Sequence, residues 1–250
     1  MPPERETAGV DLDWAELRAR RAVYEDDDCV VLDKPAGVAL VGARDDVDLM
    51  TAAREAGEWL MPAHRIDRVT SGLVLLAKAR DAHAALTQQF RDRTVTKHYL
   101  AIVQGVGLPD RGTIDLPLRE GRKAQVRVAA ERKDIRFDEW AWRWTATADR
   151  SDAKSATTTF ERLHESENAS LLRAQPVTGR RHQIRVHLAW IGYPVIADPL
   201  FETNPIGRTR LHSARLAFDA RSSERVDCRR EPGQDFFDGV PIGRTDIRDI

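Results

Sequence analysis

The run HRIDRVTSGLVLLAK occupies residues 64–78. It joins the densest polar cluster in the chain to an uninterrupted apolar stretch. Residues 73–77 (LVLLA) show no polar alternation, so they read as a central strand covered on both faces. Ahead of them, Asp67 stands among His64, Arg65 and Arg68, and a Thr70-Ser71-Gly72 turn links the two parts. A carboxylate with cationic neighbours, set against a buried strand, has the placement of a functional loop on a rigid element. The same residues would also make a surface loop with an ordinary ion pair.

Outward from this run, Asp81 is placed to cap a helix reaching about Arg93. Residues 97–104 alternate as a strand that ends at Gly105. Upstream, residues 29–32 read as a buried strand stopped by Pro35 and Gly37. Residues 48–60 place Leu49, Ala52, Ala53, Ala56, Trp59 and Leu60 at helical spacing, and a short helix fits Asp13–Val23. Residues 157–163 and 170–175 are strands around the polar stretch 165–169, and 211–218 is a late strand. The clearest helix is 180–191, with Thr178 and Gly179 at its start and Gly192 and Pro194 beyond its end. Ile184, Leu188 and Ile191 form its apolar stripe, while His182 and Arg185 project together one turn apart. Helices and strands are interspersed without strict β-α-β alternation. That predicts an α+β fold with a mixed, largely antiparallel central sheet and flanking helices.

With 250 residues, 42% of them hydrophobic and 32% charged, the chain can bury a core without a disulfide or metal staple. No run of eighteen apolar residues offers a membrane helix, and the N-terminus lacks the apolar core of a secretory signal. Cys29 and Cys228 are far apart and cannot build a four-cysteine zinc site. A cytoplasmic, reduced protein is the expectation.

The net charge of −1 hides an asymmetry. Residues 1–33 carry ten acids against four bases. Residues 65–97 and 119–136 each carry seven bases against three acids, and 175–215 carry six against two. Three basic segments suit an anionic partner, although solvated surface charge gives the same pattern. Trp140, Trp142 and Trp144 alternate and would share one face of a strand, near Arg119, Arg122, Lys123 and Arg127. Such a stripe could stack on RNA bases or pack on the core, and packing is the favoured reading.

The run 64–78 closely resembles the signature of the RluA family of RNA pseudouridine synthases. Other blocks are similar to that family in the same order: YEDDDCVVLDKPAGVAL (24–40), KHYLAIVQG (97–105), TGRRHQIRVHLAWIGYPVIADPLF (178–201) and LHSARLAF (211–218). The resemblance implies the pseudouridine synthase fold with an RNA-binding cleft. The matched blocks suggest a catalytic domain over 23–220, with a short acidic extension read over 1–22 and a polar C-terminal segment over 221–250. By the same resemblance, Asp67 is the catalytic aspartate, Tyr99 the active-site tyrosine and Arg185 the basic partner of Asp67. Arg65 would fill the space left by a flipped nucleotide. Ile184 and Leu188 would line or back the pocket. Arg68, Arg180, Arg181 and His182 would bind RNA; Arg122 and Lys123, in a region 121–156 that matches the family poorly, join them on the charge of segment 119–136 alone. The sequence departs from the family pattern at Ala197, where a glycine usually precedes the aspartate of the turn, and at Phe201, where tyrosine is common.

The implied reaction detaches uracil at N1, turns it and rejoins it at C5. No atom or electron is gained or lost, so no cofactor or metal is expected. A carboxylate near the ribose either attacks C1′ or removes the C2′ proton, and the sequence leaves both open. An ion pair with Arg185 would aim it. Tyr99 offers a ring to stack on the base and a hydroxyl for proton transfer at C5. The expected partner is ribosomal or transfer RNA, met by a monomer. Two other readings compete. One is a catalytically idle RNA-binding module of the same fold. The other is a metal-dependent hydrolase that uses Asp67, His182 and His187.

Overall fold

The computed structural model describes residues 12–42, 48–121, 125–147 and 151–247. Along the first half come α1 (Trp14–Arg21), β1 (Ala22–Glu25), β2 (Cys29–Lys34), α2 (Leu49–Glu55), β3 (Met61–Pro62), β4 (Ser71–Ala77), α3 (Arg80–Asp92) and β5 (Thr96–Gln104). There follow β6 (Arg111–Asp115), β7 (Leu118–Glu120), β8 (Val126–Val128), β9 (Arg136–Asp138), β10 (Arg143–Thr145), β11 (Thr157–Glu165) and β12 (Ala169–Pro176). The last elements are α4 (Gln183–Trp190), β13 (Leu211–Asp219) and β14 (Arg225–Arg229).

The apolar run at 71–77 becomes β4, and all seven of its residues are buried. It lies in a sheet of order β1-β2-β4-β13-β5-β12-β11-β6-β10-β9, with β14 added on β13 and β3 on β4. Among the described residues only the β13–β4 and β10–β6 pairs are parallel, so the sheet is mixed and largely antiparallel. Strand alternation divides the core between two faces. Val30, Leu32, Val74, Leu76, Tyr99 and Ala101 meet α1, α2 and α4 on one face. On the other, Val31, Leu73 and Leu75 meet α3, while Leu100 and Ile102 meet Phe236 and Phe237. No described helix is long and apolar enough to cross a membrane.

Several elements differ from the sequence expectation. Instead of extending to residue 60, α2 stops at Glu55, because Gly57 turns into the left-handed region at φ 86°. Trp59 is therefore off the helix and exposed. Asp81 does not cap α3; Ala79 holds the cap position, and Asp81 sits in the first turn beside Arg221. Nor do the three tryptophans share a strand face. Only Trp144 lies on β10, buried and stacked on Phe137 at 4.4 Å. Trp140 and Trp142 belong to the preceding turn, where Asp138 accepts from the backbone N–H of Trp140 and Ala141. Both are exposed, Trp140 at 97%.

Described residues toward both ends of the chain pack on the body of the fold. In α1, Trp14 and Leu17 are buried against the sheet. Beyond residue 220, β14 pairs with β13, and Phe236, Phe237 and Ile242 enter the core.

Candidate active site

Asp67 lies in the loop that feeds β4. That loop is built by backbone rather than by regular structure. Thr70 N–H donates to the Asp67 carbonyl at 3.0 Å, and Gly37 N–H donates to the Arg68 carbonyl at 2.9 Å. Lys34, fully buried at the end of β2, completes the clasp. Its ammonium donates to the carbonyls of Pro35 and Val38, each at 2.8 Å, and of Arg68 at 3.2 Å. Burial, then the Arg208 charge, push Lys34 down to about 7, against the pull of Asp67 and Asp33. Arg68 returns the grip, its Nε donating to the Gly37 carbonyl at 2.7 Å. Two loops are thus tied behind the carboxylate.

Just after the loop, Gly72 sits at φ 101°, and a Cβ there would lie 2.3 Å from the Ser213 carbonyl oxygen. Only glycine lets β4 and β13 approach this closely. The approach places Ser213 opposite both Gly72 and Tyr99 in the sheet.

From the facing side, α4 presents Arg185. Its Nη1 donates to Asp67 Oδ2 at 3.0 Å. Its Nε donates to Asp198 Oδ2 at 2.7 Å, and its Nη2 to Asp198 Oδ1. Asp198 has no exposed side-chain surface, and Arg185 has almost none. One guanidinium therefore forks onto a buried carboxylate and aims its remaining nitrogen at Asp67. Burial opposes the Arg185 charge, but the bonds to Asp198 and Asp67 outweigh it and hold its pKa above the ordinary value.

The start of α4 lies later than the sequence suggested. The first helical residue is Gln183, and His182 at the cap position is left-handed with φ 55°. Residues 178–182 form a turn organised by the Gln183 side chain. Its Oε1 accepts from Arg180 N–H at 3.0 Å and from the Thr178 hydroxyl at 2.7 Å, and its Nε2 donates to the Thr157 carbonyl at 3.0 Å. This turn carries His182 Nε2 to 3.6 Å from Asp67 Oδ1. Burial lowers the imidazole pKa, with Asp67 pulling the other way. His187 points elsewhere. Its two nitrogens bond Thr158 Oγ1 and the Leu116 carbonyl, so Asp67, His182 and His187 do not form a ligand set. His64 and His212 are structural as well, bonded to Leu75 N–H and to Ser71 with the Arg230 carbonyl.

Tyr99, on β5, is buried and bonds Ser213. Burial pushes its phenol up to about 12, the Ser213 bond pulls it down and Asp67 adds to the rise. At neutral pH the hydroxyl is a donor, not a base.

A hollow of about 530 Å³ holds Asp67, Tyr99, Arg185 and Ile184 together. Arg65, Arg91, Arg93 and Lys97 line it from one basic segment, and Arg180, Arg181 and His182 from another. A second hollow of about 820 Å³ reaches Asp67 from the Arg68 side. Leu188 does not line either one; it is buried in the core one turn behind Ile184. Described residues of the third basic segment, 119–136, line neither hollow, and Arg132 instead stacks on Trp190. Arg122 and Lys123 lie outside the described residues. Ala197 adopts φ 56°, the left-handed geometry that a glycine would take without strain. Sequence reasoning missed Lys34, Gln183, Ser213 and the Arg185-anchoring role of Asp198. Lys34 left a signal in Asp33-Lys34-Pro35-Ala36-Gly37, a lysine ending an apolar strand before a turn.

The RNA pseudouridylate synthase family matches residues 28–190. The chain is 33% identical over 215 residues to the ribosomal large subunit pseudouridine synthase C of Vibrio parahaemolyticus, covering 81% of this chain and 62% of that protein. It is 36% identical over 211 residues to the dual-specificity RNA pseudouridine synthase RluA of Haemophilus ducreyi, covering 80% and 84%. The synthase C relatives are thus considerably longer than the matched part of this chain. Among solved structures, human RNA pseudouridylate synthase domain containing 4 superposes with a TM-score of 0.72 at 24% identity, over 89% of this chain and 92% of that one, a likeness of fold. The signature runs, the sheet and these matches agree: the chain belongs to the RNA pseudouridylate synthase family, in the RluA group.

Proposed function

We propose that the chain is an RNA pseudouridine synthase that isomerises particular uridines in ribosomal or transfer RNA, with Asp67 as the reacting carboxylate. The observation that carries this reading is the Asp67–Arg185–Asp198 line at the floor of a basic hollow that also holds Tyr99. Arg185 aims the carboxylate at the ribose of a flipped nucleotide. The carboxylate attacks C1′ or takes the C2′ proton, and uracil is freed at N1; C5 then bonds C1′ as the carboxylate leaves C1′ or returns the C2′ proton, and the proton lost from C5 is balanced by one gained at N1. Tyr99 stacks on the base while it turns, and its protonated hydroxyl is a donor beside the ring. Arg65, exposed at the rim, takes the place that the nucleotide vacates. Arg68, Arg180, Arg181 and His182 contact the strand around it. The names of the relatives supply large-subunit ribosomal RNA as the leading substrate class. The reaction needs no cofactor. A reducing cytoplasm fits two cysteines that are buried and unpaired, their thiols pushed up to about 12 and 11 first of all by burial. A monomer is the acting form.

The test is Asp67→Asn, which keeps the shape and removes nucleophilicity and basicity. Turnover, read by mapping pseudouridine in total RNA from cells carrying each form, is expected to vanish. RNA affinity should stay within about tenfold. More than a few per cent of wild-type turnover would sink the assignment of Asp67. Absence of any pseudouridine dependent on the wild-type chain would leave the idle RNA-binding module.

A further inference from the structure

Arg185 bonds Asp67 through Oδ2, and the other carboxylate oxygen meets a different residue. His182 Nε2 stands 3.6 Å from Oδ1. The imidazole lines both hollows that open on Asp67. Its side chain is 13% exposed, and its Nδ1 is buried without a hydrogen-bond partner among the described residues. A neutral imidazole carries one N–H. On Nδ1 that proton would be a buried donor with no acceptor, the rarer arrangement. It therefore sits on Nε2, where the Asp67 charge also attracts it. Burial lowers the imidazole pKa, aided by Arg185 and Arg181 and opposed by Asp67 and Asp198, so the ring is neutral at neutral pH.

The backbone adds an independent observation. His182 is held at φ 55° and ψ 16°. Glycine, and less often asparagine, visits that region routinely, whereas a larger side chain there carries strain. Such strain concentrates where a side chain must be delivered to one place. The turn braced by Gln183 delivers the ring over Asp67. A carboxylate held through one oxygen can still swing, because the Asp χ2 torsion is broad. Donors on both oxygens fix its plane and leave each oxygen a lone pair for the ribose. At 3.6 Å the contact is longer than a hydrogen bond, as catalytic contacts in unliganded sites often are, and a bound nucleotide that excludes water shortens it. We propose that His182 is a positioning residue for the reacting carboxylate: in the RNA complex its Nε2–H closes onto Asp67 Oδ1, so that Arg185 and His182 together fix both oxygens. The exposed ring edge remains for the strand to touch. The proposal rests on the RNA reading above.

Glutamine and asparagine separate the placement of an N–H from mere fit. The glutamine amide nitrogen lies as many bonds from Cα as His Nε2 does, whereas the asparagine nitrogen stops where Nδ1 is. Asparagine, however, suits the left-handed backbone better. The experiment uses total RNA from cells lacking the chain, labelled with tritium at uridine C5, and an excess of wild type, His182→Gln, His182→Asn or His182→Gly. Tritium release reads isomerisation in a single turnover, its dependence on protein concentration separates maximal rate from half-saturation, and Tm reports folding. His182→Asn and His182→Gly are expected to lower the maximal rate about 30-fold or more, with half-saturation within about threefold of wild type. Their Tm should stay within a few degrees, and His182→Gly carries the test should His182→Asn unfold. His182→Gln should recover the rate to within about fivefold of wild type, although it fits the backbone less well than asparagine. A merely structural role would instead make rate follow Tm. Maximal rates of His182→Asn and His182→Gly within about threefold of wild type overturn the proposal. So does a glutamine variant as slow as asparagine, which makes ring shape the requirement. Weaker half-saturation at unchanged maximal rate, with a log–log salt slope shallower by about 0.7, overturns it in favour of a phosphate contact. A wild type that releases no tritium fails the RNA reading itself, and this proposal with it.

Discussion

Arg185 works because a guanidinium has three nitrogens in one plane. Two are held by Asp198 and the third meets Asp67. A lysine at this place keeps the charge but has a single nitrogen, which cannot serve both carboxylates. Arg185→Lys is therefore expected to lower single-turnover rate about 100-fold or more while RNA affinity changes only a few-fold. A rate within threefold of wild type would show that the fork is not needed. Asp198→Asn should lower the rate as well and cost about 3 kcal/mol of stability, since it breaks a buried ion pair from one side. Ala197, the residue just before Asp198, carries the opposite expectation. Its φ of 56° is imposed by Glu202, which accepts from its N–H, and by Thr209, which donates to its carbonyl. An L-residue held there costs about 1–2 kcal/mol, and glycine loses about half of that advantage to unfolded-state entropy. Ala197→Gly should raise Tm by roughly 1–3 °C with activity intact, as read by differential scanning calorimetry. A fall in Tm would mean that the alanine methyl contributes packing that outweighs the strain.

At the scale of elements, the site depends on how closely β4 and β13 approach. Gly72 faces Ser213 in that parallel pair, and Ser213 faces Tyr99 across β5. The loop holding Asp67 ends where this pairing begins. In Gly72→Ala, the new methyl would meet backbone 2.3 Å away, and no rotamer change can relieve that. Overpacking and left-handed strain together should destabilise the protein by about 3 kcal/mol or more. The remaining folded enzyme should lose turnover, because Ser213 and the Asp67 loop shift together. Chemical denaturation and single-turnover kinetics on the same sample check both effects, and a variant of normal stability would contradict the close approach. The six longest strands were legible before the structure, since β2, β4, β5, β11, β12 and β13 all coincide with apolar or alternating runs, while the strands of two to five residues were not. The start of α4 was not. Thr178 and Gly179 look like a helix start, but the Gln183 side chain draws them into a separate turn through bonds to Arg180, Thr178 and Thr157. No periodicity encodes a side chain folding back on its own approach.

For the whole molecule, acidification should be felt first at buried histidines. His187 and His212 are almost fully buried, and burial pushes each down to about 4. In the unfolded chain they protonate near 6.5. Between these values the unfolded chain holds more protons, so stability rises with pH across that interval. Their contribution is complete above about pH 6.5 and is lost as pH falls toward 4, by up to about 3 kcal/mol for each. Tm measured at pH 7.5 and pH 5 should differ by several degrees, and His212→Gln should narrow the gap. An identical Tm at both values would show that these histidines protonate in the folded state without penalty.

Local sequence determined the longer elements and the family. Apolar runs must be buried, and the signature around Asp67, Tyr99 and Arg185 carries the family with it. Charge segregation was legible as well, but only as counts along the chain. Tertiary structure decided which charges meet: residues 65–97 and 180–185 converge on Asp67, while Arg132 turns to Trp190 and segment 229–244 walls a different hollow. It also decided that Asp198, thirteen residues beyond Arg185 in the chain, is the anchor of the guanidinium, and that Lys34 binds the Arg68 carbonyl across thirty-four residues. The physical reason is one of range. Burial and periodicity act on neighbouring residues and leave their mark in the sequence. A hydrogen bond between loops exists only after the sheet has set the distance between them.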